Sequence, residues 1–167
     1  LTAVWGSVSL LGYWRLPVSR AQEGRVIVSA REAIRDGHWL IPTLNGHVRL
    51  QKPPLMTWLV AGSCGLFGAV SEATARVPSL LFALATALLL YAFARNLHGD
   101  RLALVPPLVM LTSFQFIRHS RLAESDMALL FCTVLSLFLW RRAATTARSP
   151  RLCYALGFIV CAIAVNF

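Results

Sequence analysis

The sequence is short of charge and almost empty of lysine. Charged residues make up 14% of its 167 residues, against about 25% in an ordinary soluble domain. Seven acidic residues face sixteen basic ones, and of the sixteen only Lys52 is a lysine. The four cysteines, Cys64, Cys132, Cys153 and Cys161, include no CxxC pair. Each lies in an apolar run, as small buried residues do, and they give neither a metal nor a disulfide framework. The arginines do not gather on one face with aromatics between them, and no zinc-finger, RRM or KH pattern occurs. A nucleic-acid partner is therefore not expected, despite a formal net charge of +9.

What the chain has instead is apolar length. Hydrophobic residues make up 57% of it, more than the about 45–50% of soluble domains, and long runs of them indicate a membrane protein. The fold class expected is all-α, a polytopic transmembrane helical protein. Leu1–Trp14 is apolar but shorter than the about 20 residues of a full span, so residues 1–14 read as the end of a first span. No initiator Met or basic n-region accompanies it, which argues against a signal peptide. Residues 15–76 read as an external loop with juxtamembrane helices, and residues 77–167 as four spans, the last truncated. These are Pro78–Ala94, Leu102–Ile117, Ala128–Trp140 and the run beginning at Leu152. The whole reads as the N-terminal part of a longer membrane protein.

Within the polar loop, "GRVIVSAREAIRDG" predicts a short amphipathic helix with Ile27, Ala30 and Ile34 on one face, ended by Gly37 in the left-handed conformation. "WLIPTLNG" predicts an extended segment and a turn, because Ile41 precedes a proline. "PLMTWLVAGSCGLFGAV" is a largely apolar run of 17 residues, and its length favours a helix lying at the interface over a span. The short loops "RNLHGDR" and "RRAATTARSPR" together hold six arginines, which places both in the cytoplasm. The Leu16–Pro54 loop and Arg118–Asp126 then lie outside. That outer loop is itself basic, which suits either an anionic ligand at the outer surface or a topology fixed by other segments.

Three stretches carry ionisable groups of chemical interest. Lys52, in "LNGHVRLQKPPL", is a compact point charge suited to gripping a phosphate, or a lysine snorkelling beside an apolar helix. Glu23, in "AQEGRV", is a general base at the membrane surface or a solvated partner of Arg20 or Arg25. "RHSRLAESDM" packs Arg118, His119, Arg121, Glu124 and Asp126 between two apolar runs. Asp126 opens a helix there, either as a functional acid near the membrane or as a charge favoured by the helix dipole. His119 has no second His or Cys at metal spacing, so no metal set is read from it.

Taken in order, "QEGRVIVSAREAIRDGHWLIPTLNGHVRLQKPPLMTWLVAGSCGLFG", "SEATARVPSLLFAL" and "RLAESDM" resemble the bacterial lipid-dependent glycosyltransferases of the membrane-embedded GT-C class. These are relatives of the aminoarabinose transferase that modifies lipid A and of the protein O-mannosyltransferases. The match covers roughly residues 15–130. The resemblance implies an inverting glycosyltransferase of the bacterial inner membrane with an outward-facing site. It would move a sugar from a polyprenyl-phosphate donor to a lipid, glycan or protein acceptor. By similarity, Lys52 and Arg25, with Arg49 and Arg121 near them, would bind the donor phosphate. Gln22 stands where the family has Asp, Val26 where it has Tyr, and Gln51 where the aminoarabinose branch has Glu. The base role therefore passes to Glu23, with Asp126 second. No cofactor is specified; a divalent metal is compatible with the resemblance but not indicated by it. The rival readings are a transporter or lipid-binding protein without chemistry, and an inactive homologue.

Overall fold

The computed structural model describes residues 1–10, 18, 20–145 and 149–167. The end of the first apolar run and residues 146–148 of the second arginine loop lie outside the described residues. The chain is helical: α1 (Thr2–Leu10), α2 (Ala21–Asp36), α3 (Leu55–Phe67), α4 (Glu72–His98), α5 (Val105–Thr112), α6 (Phe114–Ser120), α7 (Asp126–Thr145) and α8 (Pro150–Ala164). One small antiparallel hairpin, β1 (Thr43–Leu44) and β2 (His47–Val48), sits between α2 and α3.

The amphipathic pattern of the first loop produces α2. Val26, Ile27, Ala30 and Ala33 are buried, and Gly37 ends the helix at φ 76°, donating its N–H to the Ala33 carbonyl. Ile34, expected on the inner face, is exposed, and Ala33 takes its place. The "NG" pair then makes a tight turn. Asn45 and Gly46 both have positive φ, as a two-residue hairpin with right-handed strand twist requires. Helix α3 is 13 residues long, about 20 Å, short of a bilayer's about 30 Å hydrocarbon core.

Helix α4 is the longest element. It starts six residues before the expected Pro78, because Ser71 and Thr74 form a reciprocal capping box (Thr74 N–H to Ser71 Oγ 3.2 Å; Ser71 N–H to Thr74 Oγ1 3.0 Å). Pro78 therefore sits inside the helix and cannot donate to the Thr74 carbonyl. The Ser63 hydroxyl of α3 donates to that carbonyl instead, at 2.7 Å. The freed backbone group is thus satisfied by a neighbouring helix.

Leu102–Ile117 is not one continuous helix. It breaks at Ser113, whose backbone is extended (φ −68°, ψ 128°), into α5 and α6. Two adjacent hydroxyl residues mark the break. Thr112 Oγ1 donates back to the Leu108 and Val109 carbonyls at 3.0 and 3.1 Å, the local bonding that competes with a helix ladder. Among the described residues, α4 and α7 are long and apolar enough to cross a membrane.

Helices α7 and α8 pack closely. Any Cβ on Gly157 would collide with the Trp140 indole, and Trp140 lies against Phe158 with ring centroids 5.3 Å apart. Ser136 Oγ donates to the Gly157 carbonyl at 3.2 Å. A core of α2, α3 and α7 side chains, including Val26, Ile27, Met56, Val60 and Cys132, lies under the outer loop. This core supports the polar cluster described next.

Candidate functional site

The turn after α6 (121–125) lies across α2 and the start of α4. Glu23, one turn into α2, is fully buried. Its carboxylate accepts from Arg76 of α4 (Nε to Oε1 2.6 Å; a second guanidinium nitrogen to Oε2 3.2 Å) and from the Ala123 N–H at 3.2 Å. Three elements are joined at this one carboxylate. Both charges are compensated, as burial at that depth requires. Nearby, the Thr43 hydroxyl donates to the buried Glu32 carboxylate, fixing the hairpin to α2.

Above this layer is a small cleft of about 20 Å³ whose lining includes Gln22, Arg49, Lys52, Thr57, Glu124 and Ser125. Lys52 is exposed and reaches the Ser125 hydroxyl at 3.5 Å. Arg49 is 8% exposed. Its backbone N–H bonds the Pro42 carbonyl at 2.8 Å, while its Nε is buried with no hydrogen-bond partner among the described residues. Burial, and then the nearby charge of Arg25, push the Arg49 pKa down. A desolvated cation with an open donor suits an anion. On the acidic side, Glu124 Oε2 pairs with Arg20 Nη1 at 3.3 Å. His119 Nδ1 lies 3.1 Å from Asp126 Oδ2. Burial, and then the neighbouring Asp126, push the Glu124 carboxyl up, with Arg20 and His119 opposing.

The sequence-predicted residues therefore divide. Lys52 and Arg49 line the cleft, and Asp126, half-exposed at the start of α7, adjoins Ser125 and Glu124. Arg25 is exposed on α2, close enough for its charge to act on Arg49. Arg121 caps the end of α6 and is half-buried. Glu23 does not line the cleft. It has no exposed oxygen, and Arg76 and Ala123 occupy it. Sequence reasoning did not single out Arg76, Glu124 or Ser125 as parts of one site. The only signal was their place in "SEATARVPS" and "RLAESDM", stretches in which Arg76 and Glu124 stand 48 positions apart.

Residues 51–167 match the family described as dolichyl-phosphate-mannose-protein mannosyltransferase. That stretch is more than half of the chain and includes Lys52, Glu124 and Asp126. The chain belongs to this family. Two uncharacterised proteins of Aquifex aeolicus (strain VF5) are similar to this family member. One is 34% identical over 138 residues, covering 82% of this chain and 27% of that protein. The other is 30% identical over 131 residues, covering 78% of this chain and 31% of that protein. Two crystal structures share the mannosyltransferase-family fold seen here. ArnT from Cupriavidus metallidurans bound to undecaprenyl phosphate superposes with a TM-score of 0.85 at 21% identity, over 99% of this chain and 32% of ArnT. The apo state of that protein gives a TM-score of 0.81 at 21% identity, over 98% of this chain and 31% of ArnT. The chain thus spans 27–32% of the length of these relatives. The expected GT-C class and all-helical membrane fold are borne out.

Proposed function

We propose that this chain forms part of a membrane glycosyltransferase that moves a sugar from a polyprenyl phosphate to an acceptor hydroxyl at the outer membrane face. In this reading it supplies the grip on the donor phosphate and the acceptor's base. The observation that carries it is the cleft in which Arg49, with a buried donor left open, and Lys52, an exposed ammonium, stand beside Glu124 and Ser125. In sugar transfer the leaving lipid phosphate gains negative charge as the glycosidic bond breaks. Cations fixed next to it stabilise that charge most in the transition state. The bound lipid of the ArnT structure is undecaprenyl phosphate, an anion of the charge that Arg49 and Lys52 would attract.

The acceptor hydroxyl must lose a proton to a base within hydrogen-bond reach. Asp126 fills that role: it is half-exposed, and His119 orients it. Glu23 is a positioning residue, holding the 121–125 turn through the Ala123 N–H and α4 through Arg76. Arg25 and Arg121 add positive field around the phosphate without touching it. The positive loops at Arg95–Arg101 and Arg141–Arg151 put the opposite end of α4 in the cytoplasm, which leaves the cleft outside.

The test uses the full-length protein in detergent with a radiolabelled polyprenyl-phosphate sugar. Lys52→Ala and Arg49→Ala should each cut transfer at least about 100-fold, as expected when a charge-stabilising donor is lost, and Asp126→Asn should abolish it. Transfer at the wild-type rate in all three variants sinks the site assignment.

A further inference from the structure

The end of α4 opposite the cleft carries a second set of arginines. There α4 and α7 leave a cavity of about 300 Å³ lined by Phe93, Asn96, Phe138, Arg141, Arg142 and Thr145. A neighbouring cavity of about 520 Å³ shares Asn96, Phe138 and Arg142 and adds Tyr91 and Arg95. Phe93 and Phe138 meet edge to face, with ring centroids 5.9 Å apart, and give the cavity an apolar wall. Asp100 is the only acid among the described lining residues, and Arg95 already forms an ion pair with it. Arg141 and Arg142 are exposed, and their guanidinium groups have no ion pair or hydrogen bond among the described residues. Both helices end here, so the backbone leaves carbonyls open rather than N–H groups. Any grip on an anion therefore falls to the side chains.

We propose that this cavity binds the phosphodiester headgroup of an anionic phospholipid, such as phosphatidylglycerol, at the membrane face opposite the cleft. Guanidinium forks match phosphate oxygens in pairs, and Asn96 adds an amide donor beside them. A bias of positive charge towards one membrane face accounts for arginines in a loop. It does not account for two unpaired arginines lining a cavity with an aromatic wall. A free phosphate ion would use only the arginines, whereas a lipid uses the wall as well. Leu137 stands one turn before Arg141 on the same face of α7 and is 48% exposed. An acyl chain leaving the headgroup thus meets apolar surface. A basic pocket between spanning helices is the form that headgroup sites take. This site is independent of sugar transfer and needs only that α4 and α7 cross the bilayer.

The test titrates the full-length protein, delipidated in dodecyl maltoside, with phosphatidylglycerol or phosphatidylcholine. Bound lipid is counted by native mass spectrometry. Phosphatidylglycerol should bind in preference to phosphatidylcholine and stay bound in excess inorganic phosphate. The double variant Arg141→Gln/Arg142→Gln should weaken its binding at least about tenfold, since each arginine beside an anionic headgroup is worth roughly a fivefold change. Arg101→Gln removes an arginine at the same end that lines neither cavity, and it should leave binding unchanged. Arg141 and Arg142 are exposed, so the double variant keeps its fold, as a thermal melt would verify. Should that variant misfold, Arg142→Gln alone carries the test, with an expected loss of about fivefold. Equal binding of the two lipids, or binding indifferent to the arginine replacements, overturns the proposal. Displacement of the lipid by inorganic phosphate overturns it too, because the arginines would then hold a free anion.

Discussion

Lys52 and Glu23 show how differently two single charges can be used. Lys52 was legible from sequence: a lone ammonium among arginines, next to a Pro-Pro helix start, lies at the cleft. Glu23 was legible only as an acid near a membrane surface. In sequence, a base and a buried structural carboxylate look alike. What separates them is Arg76, 53 positions later, which only the folded chain brings to 2.6 Å. This predicts that Glu23→Gln acts on stability first. It leaves the buried Arg76 charge without its counter-ion, a loss of about 3–5 kcal/mol. Thermal unfolding of the full-length protein should show a large drop in Tm. A Tm equal to wild type with activity lost would instead make Glu23 a participant in the chemistry.

At the scale of elements, helices with a strong local signal were readable. The apolar spacing and Gly37 of α2, the Asn-Gly turn of the hairpin and the short α3 all have local causes. The break between α5 and α6 was not readable, because hydropathy averages over Thr112, whose hydroxyl bonds back to the helix, and Ser113, whose backbone turns extended. The early start of α4 was hidden by Pro78, whose cost is offset by a hydroxyl on another helix. Ser63→Ala removes that hydroxyl and should destabilise the protein by about 1 kcal/mol, one net hydrogen bond, measurable as a lower Tm. Gly157→Ala tests the α7–α8 seam. Its added methyl meets the Trp140 indole and should cost about 1–3 kcal/mol through overpacking. Pairing it with Trp140→Phe should recover part of the loss in the same melt, because the two residues are in contact.

For the molecule as a whole, α4 sets the scale. Its 27 residues span about 40 Å, with Arg76 beneath the cleft at one end and the Arg95–Arg101 loop at the other. In the proposed reading the cleft and that loop lie on opposite membrane faces. In intact cells, with the four native cysteines replaced, a cysteine at the exposed Arg31 should react with a membrane-impermeant maleimide. One at exposed Gly99 should react only after the cells are opened. The reverse pattern would turn the molecule over and remove the outward-facing site. Fold class and membrane character were legible because they are written in composition and run length. The assembly of the cleft was not, since it depends on which residues meet across 73 positions of chain, as Lys52 and Ser125 do.

The Glu23–Arg76 pair has a consequence for how the chain is made. Glu23 is synthesised first, and its folded-state partner Arg76 lies 53 positions later, at the N-terminal end of α4. Until α4 is threaded through the bilayer, α2 carries an acid that cannot settle into the interior. The first loop must therefore wait at the surface as an unfinished layer. The same carboxylate then draws in the Ala123 N–H and closes the turn that carries Glu124 and Asp126. In the folded chain, closure of the cleft thus depends on α4 having reached Glu23. A chain that loses either charge would stall with a polar interior exposed to the cell's membrane proteases.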